Sequence, residues 1–232
     1  MTHHVEQPGA APASNHDAVR DGYKTYHRRA LSCYDMVVFH GSLPRFWRCP
    51  VENLTELYTR SLGARHLELG VGTGYLMEHS RFPVSNPKIT LVDLNEATLE
   101  YTAKRMRFFE TAKVVGNALE PLPVAKSSHD SAALSLLMHC IPGSLLDKGV
   151  AIKHAAATVR PGGIVFGSTV LSQGVPVSRA GRRLMKNFND KGIFHNDKDS
   201  LQDLRTVLEQ NFADFELYTC GSVGLFRARN PA

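Results

Sequence analysis

Apolar residues from position 65 onward follow two alternating patterns, one typical of strands and the other of helices. Short apolar runs, several rich in β-branched residues, lie at residues 66–69, 88–92, 113–115, 131–138 and 164–170. Segments with helical spacing follow most of these runs, and glycine or proline marks many of the junctions. Repeated strand–helix units with short turns predict a parallel sheet covered by helices on both faces.

The two ends of the chain depart from this alternation. At the C-terminal side we expect helices over 177–189 and 200–211, then a hairpin of strands 215–219 and 223–227. At the N-terminal side, an apolar helical face over 31–39 is predicted to break at residues 41–44, and a helix resumes after Pro50 at 51–58.

These segments predict one domain over residues 19–232, preceded by a disordered tail at 1–18 that is rich in Ala, Pro, His and Ser. We divide the predicted domain into a helical cap, a core, an insert and a closing helix with hairpin. The boundaries are 19–61, 62–171, 172–198 and 199–232. The insert has the glycine and aromatic residues of a lid, although a plain surface loop is an equal alternative.

Composition narrows the class of protein. The 232 residues are 43% hydrophobic and 21% charged, which is typical of an ordinary globular chain. The net charge of +5 comes from dispersed basic residues, so a solvated surface is favoured over a nucleic-acid surface. The four Cys form no C-x-x-C pair, and we expect no metal. Without a signal peptide or a long apolar run, we expect a cytoplasmic monomer or homodimer with no membrane partner.

The sharpest local signal is a turn with glycine at every second position after the first strand. Gly70, Gly72 and Gly74 let a ligand lie against the main chain, and a following helix directs free N–H groups toward it. Asp93 ends the second strand, where a carboxylate can accept hydrogen bonds from a ribose diol. Asn117 follows the third strand, where its amide can bond an adenine edge. Together these residues predict a nucleoside site.

The order of these motifs resembles that of class I S-adenosylmethionine-dependent methyltransferases. After the glycine turn and Asp93 come residues 116–118 (Gly-Asn-Ala), a strand that opens at Asp130 and ends in 137–142, and Arg-Pro-Gly-Gly at 160–163. The resemblance covers residues 65–170 and the closing hairpin. It implies an α/β fold with a Rossmann-like seven-stranded, mostly parallel sheet, an N-terminal helical cap and an antiparallel last strand.

The resemblance also implies S-adenosyl-L-methionine as cofactor. The glycines would border its methionine part, Asp93 its ribose hydroxyls, and Leu94 its adenine. Asn117 replaces the family's more frequent Asp and still offers an amide contact. Leu136 and Leu137, late in the fourth strand, would lie near the sulfonium. The expected cofactor residues are Glu68, Gly70, Gly72, Gly74, Asp93, Leu94, Asn117, Ala118 and Leu136, with Arg48 as a candidate partner of the cofactor carboxylate.

Methyl transfer needs alignment and removal of water, and a protonated acceptor also needs a base. His139, at the carboxyl end of the fourth strand, is the first candidate base, and a histidine that merely shapes the pocket is the alternative. His40 and His195 are further candidates. The aromatic candidates for the acceptor pocket are Tyr23, Tyr26, Tyr34 and Trp47, with packing in the core as the favoured alternative for Trp47.

The chain's compact size favours transfer to oxygen or nitrogen of a small molecule, such as a specialised metabolite. Two alternatives stay open. The basic charge suggests an RNA methyltransferase, but residues 137–142 lack the Asn/Asp-Pro-Pro-aromatic cluster used on exocyclic base amines. A cofactor-binding regulator without turnover would carry the same glycine turn and Asp93. A nicotinamide-dependent oxidoreductase is disfavoured by the glycine spacing.

Overall fold

The computed structural model describes residues 35–231, which form a seven-stranded sheet with helices around it. The strand order is β3-β2-β1-β4-β5-β7-β6. Strands β1 to β5 are parallel, whereas β7 is antiparallel to both of its neighbours. The strands are β1 Arg65–Leu69, β2 Lys88–Asp93, β3 Glu110–Val115, β4 His129–Ser135, β5 Val159–Val170, β6 Asp214–Cys220 and β7 Val223–Arg229.

Helices lie on both faces of the sheet. The α-helices are α1 Leu43–Arg45, α2 Val51–Thr59, α3 Tyr75–Glu78, α4 Glu96–Arg105, α5 Leu145–Lys148, α6 Val150–Thr158, α7 Arg179–Asp190 and α8 Leu201–Asn211. The pattern of residues 145–159 predicts one helix, but the structure has two, α5 and α6, which meet at Gly149. The sequence prediction of a mostly parallel Rossmann-like sheet with an antiparallel last strand is confirmed. Within residues 35–231, each helix is too short or too polar to cross a membrane.

Alternation along the strands builds two apolar cores, one on each face. Leu91 packs in the core that contains Leu54 and Tyr58 of α2, whereas its neighbour Val92 packs with Ile152 of α6 on the other face. All five side chains are buried. Successive strand residues point to opposite faces, so a strand that is covered on both sides reads as a continuous apolar run.

The predicted helix break at residues 41–44 is wrong. A π-helix at Val38–Ser42 runs directly into α1, and Pro44 occupies an early position of α1, where its missing N–H costs little. Phe39 and Leu43 are buried along this continuous segment. Packing of this apolar face has overridden the local glycine–proline signal. The disordered tail and the first part of the cap, including Tyr23, Tyr26 and Tyr34, lie outside the described residues.

Two contacts fasten the cap and the insert to the sheet. The Trp47 carbonyl accepts from the Ser222 backbone N–H at 2.9 Å, and Gly221 lies so close that a Cβ there would stand 2.0 Å from the same oxygen. In the insert, Asn196 donates to the Val170 carbonyl at 2.9 Å. The segment from β5 to α8 is thus pinned to the end of β5. The four-part division of the domain stays a prediction.

Candidate active site

A cavity of about 770 Å³ lies at the carboxyl end of the central parallel strands. Ligand crevices of open α/β sheets occur at this edge, and sites for small molecules commonly measure about 300–1,000 Å³. The glycine turn after β1, the end of β2, the residues after β3 and the residues after β4 form one end. Aromatic residues from the cap and the insert form the other end.

The glycine turn requires glycine at three positions. Gly70, Gly72 and Gly74 have φ of +73°, +52° and +74°, which is the left-handed region that other residues seldom adopt. A Cβ at Gly70 would lie 2.7 Å from the Leu137 side chain, whereas a Cβ at Gly72 would meet no protein atom within 4 Å. The backbone at Gly72 therefore borders open space, as a main chain that receives a ligand must.

Asp93 ends β2 beside this turn and is 8% exposed. Its two carboxylate oxygens accept from the backbone N–H groups of Asn95 at 2.9 Å and Val71 at 3.1 Å. Burial raises the pKa of Asp93 to about 6, although these backbone hydrogen bonds act in the opposite direction. Each oxygen keeps a further lone pair for a ligand, and Asp93 lines the cavity.

The remaining predicted cofactor residues, except Arg48, also line this end. The Asn117 side chain is held by two hydrogen bonds, accepting from the Leu119 N–H at 3.0 Å and donating to Glu120 at 3.1 Å. These bonds fix the amide at the cavity, which Leu94 also lines. The predicted cofactor residues that line the cavity are Glu68, Gly70, Gly72, Gly74, Asp93, Leu94, Asn117, Ala118 and Leu136.

A buried hydrogen-bond chain that the sequence analysis missed holds Glu68. Ser131 Oγ accepts from the Gly63 N–H at 2.8 Å and forms a hydrogen bond with His66 Nδ1 at 2.8 Å. The proton on His66 Nε2 is donated to one Glu68 oxygen at 3.0 Å. The Tyr58 hydroxyl donates to the other oxygen at 2.6 Å. Side chains two residues apart on a strand point to the same face, so the His66–Glu68 pair could have been found from the sequence of β1.

The opposite end of the cavity is an aromatic cluster formed by Trp47, Phe188, Phe194 and His139. Phe194 is central: its ring centroid lies 5.9 Å from that of Trp47, 5.0 Å from that of Phe188 and 4.4 Å from that of His139. Leu184 and Ile193 extend this wall. Trp47 lines the cavity and is also packed in the apolar core at 3% exposure, and three segments distant in sequence build its surroundings.

His139 is placed at the aromatic cluster, but its environment opposes a role as base. The Val170 N–H donates to its Nδ1 at 3.3 Å, which occupies that lone pair. Burial, reinforced by the positive charge of Lys148, lowers the pKa of His139 to about 3. A general base works best with a pKa near the working pH. The sequence prediction that gave His139 this role is therefore not supported by the geometry.

The other two histidine candidates differ from each other. His195 is half-buried and lines the cavity, and burial and Lys148 lower its pKa, while a hydrogen bond to the backbone of Gly192 acts in the opposite direction. His40 is exposed, does not line the cavity and bonds Tyr75 at 3.1 Å. The prediction of His40 as a cavity base is not supported by this position.

The arginine of the cavity is not the predicted one. Arg48 follows α1 with φ of +54°, is exposed and does not line the cavity, which opposes a contact with the cofactor carboxylate. Arg45, three residues earlier and within α1, does line it and donates to the His40 carbonyl at 2.9 Å. The turn after α1 carries Arg48 away from the cavity, and its geometry was not readable from the sequence.

The fold and the cavity together define an α/β protein of the class that binds a nucleoside at the carboxyl ends of parallel strands. The glycine turn, Asp93 and the residues after β3 occupy the positions at which such sheets bind nucleosides. The aromatic cluster continues the same cavity without a separating wall. Known proteins bear out this assignment.

A family model described as a methyltransferase domain matches residues 67–167. The demethylluteothin O-methyltransferase of Streptomyces thioluteus is 50% identical over 210 residues, covering 90% of this chain and 91% of that protein. The physcion biosynthesis cluster O-methyltransferase of Aspergillus chevalieri is 30% identical, covering 90% and 95%. The N-methyltransferase NodS of Bradyrhizobium japonicum WM9, solved with S-adenosyl-l-homocysteine, has a TM-score of 0.56 at 14% identity, covering 78% and 87%.

The chain belongs to the class I S-adenosylmethionine-dependent methyltransferases, and it is an enzyme of that class. The sequence prediction of this family is confirmed. S-adenosylmethionine is the methyl donor of the family, and the open backbone at Gly72 and the inward carboxylate of Asp93 fit such a ligand. The relatives favour methylation of a small molecule over the RNA alternative.

Proposed function

We propose that this chain transfers a methyl group from S-adenosylmethionine to a hydroxyl group of an apolar, aromatic small molecule, as a step in the synthesis of a specialised metabolite. The observation that carries the proposal is that one continuous cavity joins the glycine turn and Asp93 to an aromatic cluster. The O-methyltransferase names of two extensive relatives support the choice of oxygen.

The residues at the glycine end suit the parts of the cofactor. Asp93 would accept from the ribose hydroxyls, and Leu94, Asn117 and Ala118 would surround the adenine. Glu68, held by Tyr58 and His66, would meet the amino group of the methionine part. When bound, S-adenosylmethionine supplies a methyl group that its positively charged sulfur activates for transfer. The chain therefore has to bind, align and exclude water.

The acceptor end favours a neutral hydroxyl over a protonated amine. A buried ammonium group needs an anionic partner, because an unpaired charge is costly away from water. Among the described residues that line the cavity, the carboxylates are Glu68 and Asp93, which belong to the glycine end. The charged side chains near the acceptor end offer no such partner, because Arg45 is a cation and Asp199, behind the aromatic cluster, is already paired with Lys148 at 2.8 Å.

His195 is the histidine that we assign to removal of the hydroxyl proton. It lines the cavity and is half-buried, so one face of the ring is open to an acceptor. The backbone of Gly192 acts to raise its pKa, which is the effect of a carbonyl that faces a protonated ring nitrogen. The other nitrogen then carries the lone pair that a base requires.

Two measurements test the proposal. Calorimetric titration with S-adenosylmethionine should show binding, and a lack of heat at millimolar cofactor would overturn it. Labelled cofactor should transfer its methyl group to a naphthol but not to a naphthylmethylamine, which is an ammonium ion at neutral pH. Labelling of the amine alone would replace oxygen with nitrogen as the acceptor atom. His195→Gln should lower turnover about 100-fold or more without weakening cofactor binding.

A further inference from the structure

His139 occupies a defined place at the acceptor end of the cavity. It lies in a 3-10 helix, Met138–Cys140, directly after the end of β4, and its side chain is 4% exposed. The Phe194 ring packs edge-on against the imidazole at 4.4 Å, and the His139 carbonyl accepts from the His195 N–H at 2.7 Å. The ring is thus fixed by the insert and by β4 at the same time.

The contact with Val170 determines which ring nitrogen carries the proton. A backbone N–H can only donate, so the nitrogen that faces it, Nδ1, must present a lone pair. A neutral imidazole then has its proton on Nε2. Burial and the charge of Lys148 keep the ring neutral at physiological pH. The cavity wall therefore contains a neutral N–H donor, which is the opposite of a base.

This donor has no partner among the described residues. Nδ1 of His139 accepts from the Val170 N–H, and no hydrogen bond joins Nε2 to residues 35–231. His139 lines the cavity, so a ligand there can accept from Nε2, and a donor that such a ligand covers needs a partner, since leaving it unpaired is costly. The ring belongs to the aromatic cluster, whereas the two carboxylates that line the cavity belong to the glycine turn and the end of β2. The partner that fits is thus an oxygen of the acceptor molecule.

We propose that His139 is a specificity residue, a neutral donor whose Nε2–H binds a carbonyl oxygen of the acceptor, so that the enzyme prefers hydroxylated aromatic ketones to simple phenols. This inference rests on the proposed function. The partner is a carbonyl oxygen rather than the reacting oxygen, because a hydrogen bond donated to the attacking atom would lower its nucleophilicity. His195 then takes the proton, while His139 holds the acceptor.

A binding experiment separates this role from a purely structural one. Trp47 is the sole Trp of the chain and lines the cavity, so quenching of its fluorescence reports acceptor binding. The probes are a meta-hydroxyphenyl methyl ketone and the phenol in which isopropyl replaces acetyl, each titrated with S-adenosylhomocysteine present. Wild type should bind the ketone about tenfold more tightly. His139→Gln should keep this preference, because its amide supplies an N–H donor, whereas His139→Phe should lose it.

Turnover and stability measurements complete the test. Thermal unfolding of each variant checks its fold. If His139→Phe is destabilised, the preference of the wild type and of His139→Gln for the ketone still tests the proposal. The pH profile of kcat should keep the same acidic limb in His139→Gln. Loss of that limb with a fall of about 100-fold would make His139 a base and overturn the proposal. Equal affinity of the wild type for the ketone and the phenol, in a protein that does methylate naphthol, would also overturn the role of His139. A wild type that neither binds the cofactor nor methylates naphthol would instead overturn the proposed function.

Discussion

Replacement of Asp93 by Asn should separate cofactor binding from folding. A rise of the Asp93 pKa from 3.8 to about 6 means that the ionised side chain destabilises the folded chain by about 3 kcal/mol near neutral pH, at roughly 1.4 kcal/mol per pKa unit. The unfolded chain loses the proton near pH 3.8 and the folded chain near pH 6. The cost therefore develops between these values and is complete above them.

Asn removes this cost but introduces another. Its amide oxygen can accept from one of the two backbone donors, Asn95 or Val71, and its NH₂ group faces the other, which costs about 1–3 kcal/mol. The two effects nearly cancel, so the free energy of unfolding of the cofactor-free variant should change little at about pH 8. Affinity for S-adenosylmethionine should fall about 100-fold, since hydrogen bonds to a charged acceptor contribute about 1.5–3 kcal/mol each.

Calorimetric titration and urea denaturation measure the two quantities. Asn95→Ala is the matched control, because it removes the cap that accepts from the Ala97 N–H at 3.0 Å and costs about 1 kcal/mol, yet Asn95 does not line the cavity. The control should lose stability and keep affinity. Undiminished affinity of Asp93→Asn, or equal losses of affinity in both variants, would refute the placement of the ribose at Asp93.

Two further predictions concern the glycine turn and the buried ion pair. Gly72→Ala and Gly162→Ala both force a Cβ into the left-handed region with nothing within 4 Å, so each should lose about 1–2 kcal/mol of stability in urea. Calorimetry should show weakened cofactor binding in Gly72→Ala alone, because Gly162 does not line the cavity; equal affinities would contradict the site. Lys148→Met should lose about 3–5 kcal/mol, because it leaves Asp199, at 1% side-chain exposure, without its cation. Replacing Asp199 by Leu as well should restore most of that stability in the same denaturation assay, and failure to do so would assign the loss to packing.

The cofactor end of the site was predictable from the sequence because its signals are local. A positive φ selects glycine at Gly70, Gly72 and Gly74, and a carboxylate at the end of a parallel strand reaches the ligand edge whatever lies elsewhere. The strand pattern fixes that edge, since strands buried on both faces are recognisable as apolar runs. Asp93 is thus placed by the rules of its own segment.

The acceptor end was less predictable because it depends on contacts between distant segments. Trp47, His139 and Phe194 meet from the cap, the end of β4 and the insert, and no periodic pattern links them. Arg45 lines the cavity in place of the predicted Arg48 for the same reason, because the path of the chain after α1 depends on how that turn packs. His139 shows the limit most clearly: its position was predicted, but its protonation follows from the Val170 N–H.

The bond between Trp47 and Ser222 also sets the time at which the enzyme becomes competent. The Trp47 carbonyl anchors this wall of the acceptor cavity. Its hydrogen-bond donor, Ser222, lies 175 residues further along the chain and is synthesised much later. During synthesis on the ribosome, the nucleoside end can assemble once β4 has emerged, whereas the aromatic end stays incomplete until the turn between β6 and β7 is made. A nascent chain would thus acquire its site for S-adenosylmethionine well before it acquires a site for the molecule to be methylated.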